Sequence, residues 1–215
     1  CYNPSDDSNY IAGIADKCSK RCNSDDFSSL ITEILSSTPN DFSELFSLLE
    51  IIHSVIDTVN INSPPLYSAM MELISASLNT DNHTIIELSL ICIIDLIEYR
   101  SELFESNAEE VIKVVLHMLE SKHQLIIENS AKVLSLIMYY YKLDNEVTPS
   151  LLPSILEAIE ESSGSVRANM IIVIYGFAFQ MQEEIEPYVS SIIPVIINCI
   201  EDQNEEVQRR VIEVL

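Results

Sequence analysis

The chain has 215 residues with 34 acidic against 11 basic side chains, a formal charge of −23, only three glycines and no tryptophan. So few glycines leave too few turn residues for an all-β fold or a phosphate-cradling α/β fold, so an all-α class is expected. The charge repels nucleic-acid phosphates and anionic lipid alike, which makes basic proteins the natural counterpart and a solvated acidic surface the plain alternative.

Residues 1–25 are poor in large aliphatics and rich in Ser, Asn and Asp. They are expected to be a lead-in or the remnant of a preceding repeat. Lys17, Lys20 and Arg21 form a basic cluster flanked by Cys18 and Cys22, and a Cys-x3-Cys pair without a second Cys or His pair is weak support for zinc. From Asp26 the pattern becomes helical. One helix is predicted to Ser36 and a second over 41–59, with Leu45, Leu49, Ile52, Val55, Ile56 and Val59 on one face and Ser43, Ser47, Glu50, Ser54 and Asp57 opposite. A second pair starts at Ser63-Pro64-Pro65, runs to Leu78 and returns over 84–99. The third covers 107–120 and 124–141, and the fourth starts at Thr148-Pro149, reaches Glu160 and returns over 165–182 past Gly164.

In the fifth pair, Pro187 opens a helix whose face is predicted to carry Val189, Ile192, Ile193, Ile196 and Ile200, with a kink at Pro194, and a second helix follows from Glu205. Short connections imply antiparallel partners within each pair. If Ile86, Ile127, Val166 and Val207 are equivalent, the repeat spacings are 41, 39 and 41, with Leu90, Ala131, Met170 and Val211 four residues on. No pair can bury its apolar faces alone, so an α-α superhelix, a solenoid of four to five helix pairs over 26–215 with second helices on the concave side, is predicted. The array is expected to stop within its last helix, as a piece of a longer protein. Five cysteines, an odd number, with Cys92 and Cys199 on apolar faces, suit free thiols in a reducing compartment rather than a disulfide framework.

Val166-Arg167, and Val207 one repeat on, resemble the Val-Arg signature of HEAT repeats. Glu186-Pro187-Tyr188 with Pro194, Asp202 and Val207 is similar to a repeat of the importin-β superfamily. Leu45 to Glu120, with Glu87 to Ile91 as its Glu-Leu-Ser-Leu-Ile-like segment, resembles the importin-5-like karyopherins. The resemblance implies a nuclear transport receptor found in cytoplasm and nucleus. Such a receptor binds basic cargo on its concave face, meets Phe-Gly nucleoporins on the outer face and releases cargo to a Ran-type GTPase. The signature Arg is taken as replaced by Glu87, Glu128 and Gln208 in the other pairs, and the acidic insertion of larger karyopherins has no counterpart.

Two other readings of a repeat array remain. A phosphatase or coat scaffold would hold other subunits. A TOG-like tubulin-binding array would need basic loops within its repeats, and those loops here offer only Lys122. No apolar run reaches membrane-spanning length, because Glu87 and Asp95 interrupt Ile85 to Ile97 and the stretch from Met170 to Met181 is short.

An enzyme needs a convergent constellation, and no Gly-rich phosphate loop, Gly-x-Ser-x-Gly elbow or His-Glu-x-x-His helix occurs. His53, His83, His117 and His123 read as structural or surface residues. No catalytic residue, metal ligand or cofactor is therefore assigned. The Tyr139-Tyr140-Tyr141 run, Phe177 and Phe179 read as core, and Gly176 as a point of close helix approach. Surface recognition is what remains. Glu50 and Asp57 share one stripe, and Glu87, Asp95 and Glu98 fall within about 80° on their helix, with Glu128 at the position equivalent to Glu87. These six acids are the candidate partner-binding residues, placed to attract Lys- and Arg-rich segments.

Overall fold

A computed structural model describes residues 24–36, 39, 41–56, 63–143 and 147–215. Residues 1–23 of the expected lead-in, with Cys1, Cys18 and Cys22, and also Asp57 and Val59, lie outside the described residues, while Ser24 and Asp25 belong to a helix. The described residues form ten α-helices and no strand. They are α1 (Ser24–Leu35), α2 (Phe42–Ile56), α3 (Pro64–Leu78), α4 (His83–Phe104), α5 (Ala108–Met118), α6 (Gln124–Tyr140), α7 (Val147–Glu161), α8 (Gly164–Met181), α9 (Glu186–Asn198) and α10 (Glu205–Val214). Short 3-10 turns, Glu105–Asn107 and Gln182–Ile185, lead into α5 and α9. The helix pairs are those the apolar spacing predicts, and no helix among the described residues is long and apolar enough to cross a membrane.

The chain divides into two compact units, one up to Leu103 and one from Phe104 to Leu215. In the first, α1 packs on α3, and α2 lies beside α4. Asp41 opens α2 by accepting from the Glu44 N–H at 2.9 Å, satisfying one of the donors that a helix start leaves unpaired. The predicted apolar face of α2 is buried from Leu45 through Leu49, Ile52 and Val55 to Ile56. Ser63 with Pro64 and Pro65 starts α3, where the missing N–H of proline costs nothing. Asn82 caps α4 by accepting from the N–H groups of Thr84 and Ile85. The regular helix breaks at Arg100, whose φ of −142° and ψ of 45° leave the helical region, close to the predicted end at Tyr99.

In the second unit, α6, α8 and α10 form one layer, with α8 packed on both neighbours, while α7 packs on α8 and α9. The α6–α8 seam is unusually close at Gly176. A Cβ there would sit 2.6 Å from the Met138 carbonyl oxygen and 2.8 Å from Met138 Cβ, so only a hydrogen fits. Beside it Gln180 Nε2 donates to the carbonyls of Met138 and Tyr141 at 3.1 and 2.8 Å, and its Oε1 accepts from the Leu143 N–H at 3.0 Å. One side chain thus completes the backbone bonding where α6 ends.

Helix starts correct the repeat register. From the second pair onward, the third residue of the second helix is buried: Ile85, Ile126, Val166 and Val207, at 1%, 3%, 3% and 0% exposure, giving spacings of 41, 40 and 41. Ile86 and Ile127, taken as equivalents from sequence, lie one residue later and are half-buried. The signature Arg167 therefore corresponds to Ile86, Ile127 and Gln208, and the acids Glu87 and Glu128 occupy the next position. Arg167 pairs with Asp202 at 2.5 Å and also donates to the carbonyls of Ile159 and Glu160.

The fifth pair also differs from its prediction. On α9 the core side is Ile192, Val195 and Ile196, while Val189, Ile193 and Ile200 are 41%, 38% and 46% exposed. The helix runs through Pro194. Asn204 caps α10 through the N–H groups of Glu206 and Val207.

Candidate functional site

In the first unit the candidate acids lie along the α2–α4 seam. Two contacts fix its direction: Cys92 Sγ donates to the Leu49 carbonyl at 3.5 Å, and His53 Nδ1 bonds Asp95 Oδ2 at 2.5 Å. Both partners advance along the chain together, so the helices run parallel. Burial of Leu49, Ile52 and Ile56 against Leu90, Ile93 and Ile97 turns the opposite sides outward. Glu50 and Glu87 are half-exposed and Glu98 is exposed on those sides. Asp95 differs from them, being 16% exposed and engaged by His53, so it anchors the seam more than it offers charge. The sequence gives no hint of this pairing, because the two residues are 42 positions apart. Asp57 lies outside the described residues.

The Cys92 thiol is buried and unpaired with another cysteine, as is Cys199. Burial pushes Cys92 strongly upward, and the Asp95 charge adds to it, so the thiol stays protonated and inert. Burial likewise raises Cys199.

The second unit holds Glu128, half-exposed on α6 and accepting from Gln124 Nε2 at 2.9 Å. Its dominant surface feature is aromatic. Tyr139 (63% exposed), Tyr175 (42%) and Phe179 (70%) project from α6 and α8, and Tyr140 packs edge-on against Tyr139 at 5.1 Å. Tyr141 and Phe177 are core, as expected, but Tyr139, Tyr140 and Phe179 are not. The reason is geometric. On α8, Met170, Ile171, Val173, Ile174 and Phe177 face α6, α7 and α10, which leaves the Ile172, Tyr175, Phe179 side uncovered. That i, i+3, i+7 spacing was visible in the sequence and marks one helical face. A groove of about 380 Å³ opens there, lined by Tyr139, Ile172, Tyr175 and Val214, with Arg210 tied to Glu206 and Glu213 at its edge.

The Arg167–Asp202 pair also belongs to this unit. The Asn204 N–H is the main cause that holds the Asp202 carboxyl below its usual range; burial opposes it and the Arg167 guanidinium adds to it. Among the described residues no three His, Cys, Asp or Glu side chains converge to hold a metal ion. The arrangement offers recognition by charge in one unit and by aromatic contact in the other.

No protein-family model and no curated protein matches the sequence. Solved structures do match its fold. A designed armadillo repeat protein, YIII(Dq)4CqI, aligns at a TM-score of 0.67 with 15% identity over 97% of this chain and 90% of its own. Another, YIII(Dq.V1)4CPAF in complex with the peptide (KR)4, aligns at 0.68 with 13% identity over 98% and 90%. UNC-45 from Drosophila melanogaster aligns at 0.66 with 15% identity over 89% of this chain and 25% of its own. The chain has a helical repeat solenoid fold, similar to that of the designed armadillo repeat proteins.

Proposed function

We propose that this chain is a protein-binding repeat scaffold that takes Lys- and Arg-rich segments along the α2–α4 seam of its first unit. The observation that carries this is the charge there: between Ser24 and Leu103 the sequence has thirteen Asp and Glu against a single Arg, Arg100, and no Lys. Glu50, Glu87 and Glu98 hold part of that charge on the outer side of two packed helices. Rigid carboxylates steer a cationic chain and cost little ordering on binding. The likeness to a designed repeat protein that binds (KR)4 supports a basic peptide as the ligand class.

Within this reading, the importin-β-like motifs make a nuclear-import cargo segment the natural first partner. A Ran-type GTPase and Phe-Gly nucleoporins come next, in a protein working in cytoplasm and nucleus.

The test is a fluorescence anisotropy titration of a Lys-Arg octapeptide at about 50 and 200 mM salt, where screening differs strongly. Wild type is compared with Glu50→Lys/Glu87→Lys/Glu98→Lys, shown folded by circular dichroism. The proposal expects saturable binding that weakens about tenfold with salt and disappears in the variant. Equal binding by wild type and variant would overturn it.

A further inference from the structure

The second unit contains a cleft that the aromatic groove does not include. It lies at the loop edge, where the C-terminal ends of α5 and α7 meet the starts of α6 and α8, and encloses about 540 Å³. Its floor is apolar: Leu119, Ile127 and Ala158 are half-buried and Val166 is buried. Its rim is acidic, formed by Glu120, Glu157 and Glu161. Glu120 meets only the exposed His117, at 3.7 Å, while Glu157 and Glu161 have no ion-pair partner among the described residues.

Two physical features set the sign of the ligand. Glu157 and Glu161 stand in the last turns of α7 and Glu120 just past the end of α5, where the helix dipole is already negative. The last turn of α7 has no base of its own. Arg167 satisfies two of its carbonyls but is engaged by Asp202, and the positive starts of α6 and α8 lie on the other wall. The hydroxyl of Ser162, which lines the cleft, is buried with no hydrogen-bond partner.

A metal ion does not suit this rim, since no three ligating groups converge among the described residues. An elongated cation does. The stem of Lys or Arg can cover the apolar floor while its head reaches the carboxylates, and an apolar neighbour on the same peptide fills the remaining space.

We propose that this cleft is a second docking site, for a partner segment in which Lys or Arg alternates with apolar residues. It is independent of the α2–α4 seam.

The test uses the full chain, labelled at Ile, Leu and Val methyl groups, titrated with the blocked peptide Leu-Lys-Leu-Arg-Leu and followed by NMR. The expected result is saturable shifts at Leu119, Ile127 and Val166. Affinity should fall about tenfold in Glu157→Gln/Glu161→Gln, through lost charge, and similarly in Ala158→Leu, which fills the floor while keeping every carboxylate. A Ser-Lys-Ser-Arg-Ser peptide should bind more weakly than the leucine peptide. Glu50→Lys/Glu87→Lys/Glu98→Lys should leave these shifts unchanged. Shifts confined to α2 and α4 would overturn the cleft and leave the first site standing. Shifts at the cleft that persist in both cleft variants would also overturn it. No shift at either place would overturn both.

Discussion

The two units build the same helix pair but fasten neighbouring second helices differently. In the first, α2 and α4 are joined by apolar packing, a thiol on a carbonyl and one exposed-edge His53–Asp95 pair. In the second, Gly176 and Gln180 fasten α8 to the backbone of α6, and the Arg167–Asp202 side-chain pair ties α8 to the α9–α10 turn. What α4, α6, α8 and α10 share is the buried third position, at Ile85, Ile126, Val166 and Val207. The polar fastening differs from one seam to the next.

The largest effect is expected at the tightest contact. Gly176→Leu should destabilise the protein to urea by about 3 kcal/mol, since the clash is with the Met138 backbone and outweighs the roughly 1 kcal/mol of helix propensity gained. A loss under about 1 kcal/mol would mean that α6 and α8 can separate at little cost. Next, Gln180→Ala strands two carbonyls and one N–H and should cost about 2 kcal/mol, measured the same way.

The Arg167–Asp202 pair gives a pH signature. Because the Asp202 carboxyl is held below its ordinary value of 3.8, its contribution is complete above that value and is lost as pH falls through the lower, folded-state value. Asp202→Asn should therefore be less stable than wild type at about pH 6, by about 1 to 2 kcal/mol, and the gap should close in acid. A gap that stays constant down to about pH 2 would contradict the assignment. The smallest effect belongs to the first unit. His53 is half-exposed, so His53→Gln should cost about 0.5 kcal/mol or less at neutral pH.

The pairing of helices was legible because apolar residues recur at helical spacing and Pro, Asn and Asp mark the starts. The register slipped at Ile85-Ile86 and Ile126-Ile127, where adjacent isoleucines give the pattern two solutions. The caps could have decided it, because Asn82 and Asn204 each stand three residues before the buried position, at Ile85 and Val207. Of the acids, Glu50, Glu87 and Glu98 are placed outward as their helical stripes require. Asp95 is drawn to His53 by a contact between repeats, which no local pattern encodes. The open aromatic face was misread because α8 is apolar all round, and sequence alone did not show that three neighbours cover only three sides.

The most direct measurement is hydrogen–deuterium exchange of the full chain with and without a saturating Lys-Arg octapeptide. Exchange should slow in α2 and α4, and this protection should be abolished in Glu50→Lys/Glu87→Lys/Glu98→Lys. Unchanged exchange in both helices, with the peptide shown to be bound, would contradict it.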